Sequence, residues 1–284
     1  MPNNNFNGVI NLHEKYSDKV QERFSIESLT QSSFSKDLDV EFTGVKTVKV
    51  TEIGVVPMND YDRTRGSNRY GDPTELGDTI HEYTMTRDRS FTATIDKGNN
   101  TEQHAVKAAG KAVSRQLREV VTPEIDKYRF EKWAAGAGLK ATLDAPTAEN
   151  IYNQLLTAKV AMDNKLVPKN GRTVYLGSAA YIALMECDKY IRLDKLGGKA
   201  IPTGVIGRIF DMDIKPVPDD YLPANVSFMI IYKGAAISPV KLHECKIHAN
   251  PPGISGHLLE GRFMYDAFVK GNMKNGIYVA SVTA

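Results

Sequence analysis

Asp60-Tyr61-Asp62-Arg63-Thr64-Arg65-Gly66 begins a turn-rich segment that continues through Gly71-Asp72-Pro73. This segment lies between two strand-like runs, which cover residues 45–56 and 80–95. A loop of roughly twenty residues with no core of its own is uncommon inside a compact domain. The segment therefore predicts a long hairpin whose tip reaches another molecule, which favours a role in assembly over a role in chemistry.

The two arms of this hairpin alternate between apolar and polar residues, as half-exposed β-strands do. The first arm places Val45, Val48 and Val50 among threonine and lysine, and the second includes residues 84–95, TMTRDRSFTATI. Because both arms are rich in threonine and charge, the hairpin buries little surface within itself. An isolated two-stranded ribbon is marginally stable in water, so the hairpin needs a partner surface.

The strongest helical pattern in the sequence covers residues 101–133. Pro123 interrupts it and predicts either a kink or a new helix start with proline in the first turn. At 1.5 Å per residue the pattern corresponds to a rod of about 50 Å, which suits a helix lying across a flat plate. The apolar side chains that recur on one face at helical spacing are Val106, Ala109, Val113, Leu117, Val120, Val121, Ile125 and Tyr128.

An N-terminal arm precedes the hairpin, and a mixed α/β region follows the long helix. In the arm, apolar residues recur every four positions over residues 12–24, which predicts a short amphipathic helix. In the α/β region, Thr147 predicts the cap of a second helix, and residues 179–187 form a third. The predicted strands cover residues 172–176, 205–218, 226–232, 235–240, 246–249, 261–270 and 277–282.

The composition is that of an ordinary globular protein. The 284 residues carry a net charge of +2 with acids and bases interspersed, which argues against tight, sequence-specific nucleic-acid binding. No apolar run reaches about 18 residues, so no membrane span is expected, and the first residues lack the pattern of a signal peptide. The two cysteines, Cys187 and Cys245, are expected to be reduced.

The sequence contains no pattern that predicts a catalytic or metal-binding site. His243 and His248 flank Glu244, but they are five residues apart, whereas a zinc-binding helix needs four. The segment Leu196-Gly197-Gly198-Lys199-Ala200 lacks the first glycine and the Ser or Thr of a phosphate-binding loop, and is interpreted as a mobile loop. We therefore expect no metal, no cofactor and no enzymatic activity.

Several motifs occur in order from about residue 40 to the end of the chain. Each is loose alone, but together they resemble the major capsid proteins of tailed bacteriophages with the Hong Kong 97-type fold. The motifs in residues 61–95 resemble that family's extended loop and returning strand. The motif at 120–129 resembles the end of its spine helix, and the motifs from residue 147 to residue 232 resemble its later α/β region. They are Tyr61-Asp62-Arg63 with Gly66 and Asp72, HEYTMTRDR at 81–89, TMTRDRSFTATI at 84–95, VVTPEIDKYR at 120–129, TAEN at 147–150, VP at 167–168, GRTVY at 171–175, GVIGRI at 204–209, VP at 217–218 and FMIIY at 228–232.

The resemblance implies an α+β capsid fold with four parts. An N-terminal arm would cover residues 1–42, and an extended β-hairpin loop residues 43–97. A peripheral domain with the spine helix would combine residues 98–145 and 235–284, because the last strands return to it. An axial domain would cover residues 146–234.

The resemblance also implies a function, that of a major capsid protein. Such a protein self-assembles through pentamers and hexamers into an icosahedral or prolate phage head around double-stranded DNA. It would be assembled in the host cytoplasm and reside in the virion. The expected partners are further copies of the chain, a portal protein and DNA held by non-specific contacts, with no membrane. Because only about forty residues precede the hairpin, we also expect a separate scaffolding protein; some family members carry a longer extension as an internal scaffold.

Two sets of residues are candidates for these contacts, and each has the alternative of being a solvated surface. The inter-subunit candidates on the hairpin tip are Asp60, Asp62, Arg63, Arg65, Arg69 and Glu75. The candidates for phosphate contacts with DNA recur at helical spacing opposite the apolar stripe and are Lys107, Lys111, Arg115 and Arg118. Two other interpretations stay open: an encapsulin-like protein nanocompartment, and an unrelated cytosolic α+β enzyme.

Overall fold

The computed structural model describes residues 28–34, 40–43, 47–97, 109–187, 189–190 and 207–283. The predicted helix at residues 12–24, the beginning of the long helix at 101–108 and the loop at 196–200 lie outside these ranges. The chain folds as two compact units. One consists of residues 37–86, and the other of residues 1–36 together with 87–284.

The smaller unit is a three-stranded antiparallel sheet with a long loop. Its strands are β1 (Val40–Thr43), β2 (Thr47–Ile53) and β3 (Asp78–Thr84), in the order β1-β2-β3. The register places Lys49 opposite Glu82, and their side chains form an ion pair of 2.7 Å. Opposite charges at directly facing positions stabilise one register of a ribbon over its neighbours.

The run predicted as one strand over residues 80–95 is two strands in two different sheets. β3 ends at Thr84, and β4 (Arg87–Asp96) pairs instead with a strand near the end of the chain. β4 forms a sheet with β11 (Val240–Ala249) and β12 (Gly256–Tyr265), in the order β11-β12-β4. The alternation of apolar and polar residues is the same on both sides of the break, so it carries no sign of the change of partner.

The long helix continues through Pro123 by means of a wider turn. It consists of α1 (Ala109–Gln116), a π-helical segment (Leu117–Val121) and α2 (Thr122–Ala135). The Thr122 N–H donates to the carbonyl of Leu117, five residues back, just before the proline that has no N–H to donate. Pro123 therefore stands in the first turn of α2, and the helix neither ends nor starts again there.

The centre of the larger unit is a six-stranded mixed sheet that lies between helices. Its strand order is β5-β14-β9-β6-β8-β7. The alternate side chains of β9 enter two different cores: Met229 and Ile231 join the residues of α2, whereas Phe228 and Ile230 pack with the two later helices. The elements are β5 (Leu139–Leu143), α3 (Ile151–Asp163), β6 (Arg172–Leu176), α4 (Ser178–Glu186), β7 (Gly207–Ile209), β8 (Met212–Pro216), β9 (Val226–Tyr232) and β14 (Ile277–Val282).

One face of the β11-β12-β4 sheet joins the core on the α2 side. Cys245, Leu259 and Phe263 point inward there, beside Val113, Leu117 and other residues of the long helix. The predicted strand at 246–249 is thus the end of a longer strand, and the one predicted over 261–270 is β12 followed by β13 (Phe268–Val269). β13 pairs with β10 (Ala236–Ile237).

A buried arginine holds the chain where α3 ends and β6 begins. The Arg172 Nε donates to the carbonyl of Pro168 at 2.9 Å, and its Nη2 donates to the carbonyl of Val167 and contacts Asp163 at 2.8 Å. Lys159 also binds Asp163. These donors hold the pKa of Asp163 below its ordinary value, the Lys159 hydrogen bond first, against the opposing effect of burial.

Helix α3 begins at Ile151, and its N-cap is Asn150, not the predicted Thr147. Thr147 lies one turn before Ile151, where its N–H donates to the Asn150 side chain and its hydroxyl accepts from the Asn150 N–H.

Among the described residues, none of the helices combines the length and apolar character that a membrane crossing requires.

Candidate assembly surfaces

The loop between β2 and β3, residues 54–77, has internal structure although it has no core. At the base, the Gly54 N–H donates to the carbonyl of Gly77 at 2.8 Å. Nearer the tip, the backbone N–H of Asp62 donates to the carbonyl of Arg69 at 3.0 Å. The rings of Tyr61 and Tyr70 meet edge to face, with centroids 4.9 Å apart. The segment is therefore a formed hairpin loop, which we call the tip loop.

Three of the six charged candidates on the tip loop shape the loop itself. Asp62 accepts hydrogen bonds from the N–H and the hydroxyl of Thr64, at 2.8 and 2.6 Å, and the hydroxyl above all lowers the pKa of this carboxylate. Arg69 donates through Nε to the carbonyl of Arg65 at 2.8 Å, and Arg65 lies 3.6 Å from Asp72. These contacts are local turn contacts of the kind that Asp side chains commonly make.

The other three charged candidates make no such contacts within the loop. Asp60, Arg63 and Glu75 are exposed, and within the described part of the chain they make no hydrogen bond or ion pair. Their charges are therefore available to a partner without breaking any contact of the loop. Among the six residues predicted from sequence, these three are the better candidates for contact with another molecule.

The tip loop also exposes large apolar side chains, although the arms of the hairpin are rich in threonine and charge. Val55 is 93% exposed, Met58 98% and Tyr70 85%. Single exposed apolar residues are normal, but several in one short segment are a feature of interaction sites. The signal was visible in the sequence as Val55-Val56-Pro57-Met58 between turn-forming residues.

In the larger unit, the strand that follows the hairpin is fastened to the long helix by charged and aromatic side chains. The Arg87 guanidinium lies over the ring of Tyr128, 4.5 Å from its centroid. Arg89 donates through Nε to Glu124 at 2.8 Å, which raises the pKa of Arg89. Tyr265 also reaches Glu124, and burial raises the pKa of its phenol to about 12. β4 is thereby held on α2.

The predicted basic face on the long helix is present in part. Lys107 lies outside the described residues, while Lys111, Arg115 and Arg118 are all exposed on α1 and the π-helical segment. Arg115 forms an ion pair of 2.9 Å with Glu119, one turn further on, so its charge is partly compensated. Lys111 is the member of this set that keeps an unpaired charge within the described ranges.

The two histidines that resembled a zinc signature lie on β11, where their spacing of five residues puts them on opposite faces. His243 points inward and burial lowers its pKa, while His248 contacts Glu260 at 3.0 Å. In the described ranges, no group of three or more His, Cys, Asp or Glu side chains could hold a metal ion. Both cysteines are buried free thiols, and burial raises the pKa of Cys245 to about 12.

Comparison of the whole chain with known proteins finds similarity in structure. No family model and no curated protein matches the sequence. Among solved structures, one of Mycobacterium phage Che8 has 16% identity, covers 83% of this chain and 84% of its own, and has a TM-score of 0.62. The capsid of the cyanophage P-SCSP1u has 12% identity, coverage of 86% and 85%, and a TM-score of 0.65. A virus-like particle from Pyrococcus furiosus has 11% identity, coverage of 95% and 99%, and a TM-score of 0.59.

The fold of this chain is therefore the fold of phage capsid structures. The match covers most of both chains in each case. This confirms the fold class, the α+β Hong Kong 97-type capsid fold, that the motifs of the sequence predicted.

Proposed function

We propose that the chain is a shell-forming structural protein, the major capsid protein of a tailed phage. It would assemble through pentamers and hexamers into an icosahedral or prolate head around double-stranded DNA. The capsid fold supports this proposal, and the observation that carries it is the tip loop. That loop exposes both apolar side chains and unpaired charges, which a partner would cover.

Many weak contacts suffice for such a shell, because they add over the assembly. A single chain that forms closed rings needs head-to-tail contacts, in which one surface meets a different surface of the next copy. The tip loop supplies one such surface, and Asp60, Arg63 and Glu75 supply the charges that would fix its orientation. The proposed parts of each subunit are the arm (1–42), the extended loop (43–97), the peripheral domain (98–145 and 235–284) and the axial domain (146–234).

The experiment that tests the proposal is assembly of the purified chain, followed by size-exclusion chromatography and negative-stain microscopy. We expect rings or shells of mixed size, because the proposed scaffolding protein is absent from this assay. A small inert monomer under all conditions would contradict the proposal. The variant Arg63→Glu should reduce assembly. Lys169→Glu is the matched control, because it makes the same change of charge at an exposed position of the larger unit.

A second candidate is a shell of the same fold that encloses protein instead of DNA, as an encapsulin-like nanocompartment does. The observation that favours this second candidate is the similarity, over 95% of this chain, to a particle from Pyrococcus furiosus that is described as virus-like and not as a phage capsid. The content of particles purified from the native source separates the two candidates. Double-stranded DNA inside supports the phage head, whereas a single enriched cargo protein supports the nanocompartment.

The remaining partners follow from the proposed phage head. A separate scaffolding protein would guide assembly, and a portal protein would occupy one vertex; uniform closed shells from the chain alone would contradict the need for a scaffold. Lys107, Lys111, Arg115 and Arg118 would meet DNA through phosphate contacts. Lys111→Glu should then reduce DNA retention without reducing shell formation, whereas normal filling would reject this role.

A further inference from the structure

Residues Ser28–Phe34, which we call the arm segment, are buried in the larger unit although they belong to no helix or strand. Thr30 has no exposed surface, and the side chains of Ser28, Ser33 and Phe34 are also buried. A segment without regular structure must satisfy its backbone and hydroxyl groups by other means. The arm segment does so with side chains from distant parts of the chain.

Asp126 of α2 binds the start of the arm segment. Its Oδ1 accepts hydrogen bonds from the hydroxyls of Ser28 and Thr30, at 2.7 and 2.6 Å, and its Oδ2 accepts one from the Leu29 N–H at 2.8 Å. The carboxylate is 1% exposed. Hydrogen bonds to a buried charge are among the stronger ones in proteins, so the two from side chains select hydroxyl-bearing residues at positions 28 and 30.

Arg129, one turn further along α2, binds the same hydroxyls from the other side. Its Nη1 donates to Thr30 at 2.8 Å and to Ser28 at 3.2 Å, while its Nε donates to Ser238 at 2.8 Å. The guanidinium also lies 4.8 Å from the centroid of the Phe34 ring. One arginine therefore contacts both ends of the arm segment.

The six-stranded sheet completes the enclosure. The Tyr175 hydroxyl donates to the Leu29 carbonyl at 3.1 Å and also contacts the Ser33 hydroxyl. Lys215 donates to the same carbonyl at 3.2 Å and to the Ser32 hydroxyl at 2.6 Å. The backbone of Leu29 is thus recognised at both its N–H and its carbonyl. We call the group of Asp126, Arg129, Tyr175, Lys215 and Ser238 the socket.

The chemistry of the socket differs from that of an apolar core. Each of its members ends in a polar or charged group, and these groups can exchange a hydrogen bond from the arm segment for one from water. An apolar cavity cannot do this and loses its contacts outright when its filling side chain leaves. Ordered water could therefore take over the hydrogen bonds of Ser28 and Thr30, whereas the departure of Phe34 would leave a gap in the apolar core beside Trp133.

We propose that the socket is a peptide-recognition site, and that the arm segment occupies it as a reversibly bound ligand that the same segment of a second copy can replace. The ligand class is a short hydroxyl-rich peptide ending in an aromatic residue. Asp126 and Arg129 bind the hydroxyls of Ser28 and Thr30. The Phe34 ring contacts the Arg129 guanidinium and lies 6.3 Å, between ring centroids, from Trp133. The proposal stands whether or not the chain forms shells.

The test uses the full-length chain with Thr30→Val, which keeps the shape of the side chain and removes the hydroxyl. Amide exchange of the arm segment should become about tenfold to a hundredfold faster, the effect of losing hydrogen bonds to charged groups. The control is Gln31→Ala, because Gln31 is only half-buried and, in the described part of the chain, makes no hydrogen bond or ion pair with a socket side chain. Its exchange should match that of the wild type.

The decisive step is rescue by a free peptide. A synthetic peptide with the sequence of residues 26–36 should bind Thr30→Val more tightly than the wild type and raise its melting temperature. The same peptide carrying Thr30→Val, and a scrambled peptide, should do neither. Equal effects of the matched and scrambled peptides, or no effect of any peptide, would overturn the proposal. If Thr30→Val does not fold, Ser33→Ala, which removes only the contact to Tyr175, takes its place.

Discussion

Met58 provides the sharpest test of the tip loop, because its side chain is 98% exposed and supports nothing in the subunit itself. Burying a methionine side chain fully against a neighbour contributes about 2 kcal/mol. If assembly covers Met58, replacement by serine removes about that amount for each subunit. A difference of this size corresponds to about a 30-fold change in an equilibrium constant, so the threshold concentration for assembly should rise about 30-fold.

Two measurements are needed for Met58→Ser. The threshold concentration comes from light scattering of the purified chain over a dilution series. The free energy of unfolding of the subunit comes from urea denaturation and should change by less than about 0.5 kcal/mol, as is usual for exposed positions. A loss of assembly together with a loss of subunit stability would point to misfolding.

Leu166→Asn is the matched control for Met58→Ser. Leu166 is 90% exposed, lies in the larger unit, and has a φ of 57°, which asparagine adopts more readily than leucine. It therefore removes a comparable apolar surface outside the tip loop without straining the backbone. If Met58→Ser assembles like the wild type, or if the two variants weaken assembly equally, the assignment of the tip loop as a specific contact surface is refuted.

Three further predictions concern the subunit. Arg172→Met should lower the free energy of unfolding by about 3 kcal/mol in urea denaturation, because two carbonyls and Asp163 lose a buried donor; an unchanged value would contradict the role of this arginine. Because the pKa of Asp163 is lowered in the folded state, its stabilisation is present above the unfolded pKa of about 3.9 and is lost as the pH falls through the folded value. Asp163→Asn should flatten that acid limb, and an identical acid limb in both proteins would contradict the assignment. Cys187 and Cys245 should resist a thiol reagent at pH 8 until urea unfolds the chain, since both are buried and the pKa of Cys245 is raised to about 12; rapid reaction of the native protein would contradict this.

The elements whose signal is local could be predicted from the sequence. The long helix follows from its apolar stripe, and β6 and β14 appear at residues 172–176 and 277–282 as predicted. What local pattern cannot reveal is the choice of partner. The alternation in residues 80–95 is uniform, yet β3 and β4 belong to different sheets, because β4 pairs with β12 some 170 positions away.

The candidate site shows the same division. A long turn-rich loop could be recognised from its composition, and six charged residues on it could be named. The sequence could not show which of these six side chains bind within the loop. Asp62 binds Thr64, whereas Asp60 has no such contact in the described ranges. The arm segment gave no sequence signal at all, because its partners Asp126 and Lys215 are about a hundred or more positions away and carry no motif.

The burial of both native thiols has a practical consequence for labelling. The sequence has only two cysteines, and neither is exposed in the folded chain. A cysteine introduced on the tip loop at an exposed position outside the proposed contact side chains, for example by Ser67→Cys, would be the single accessible thiol. A fluorophore or spin label placed there would report on the environment of the loop without removing the native cysteines, so docking could be followed in real time on an otherwise unmodified subunit.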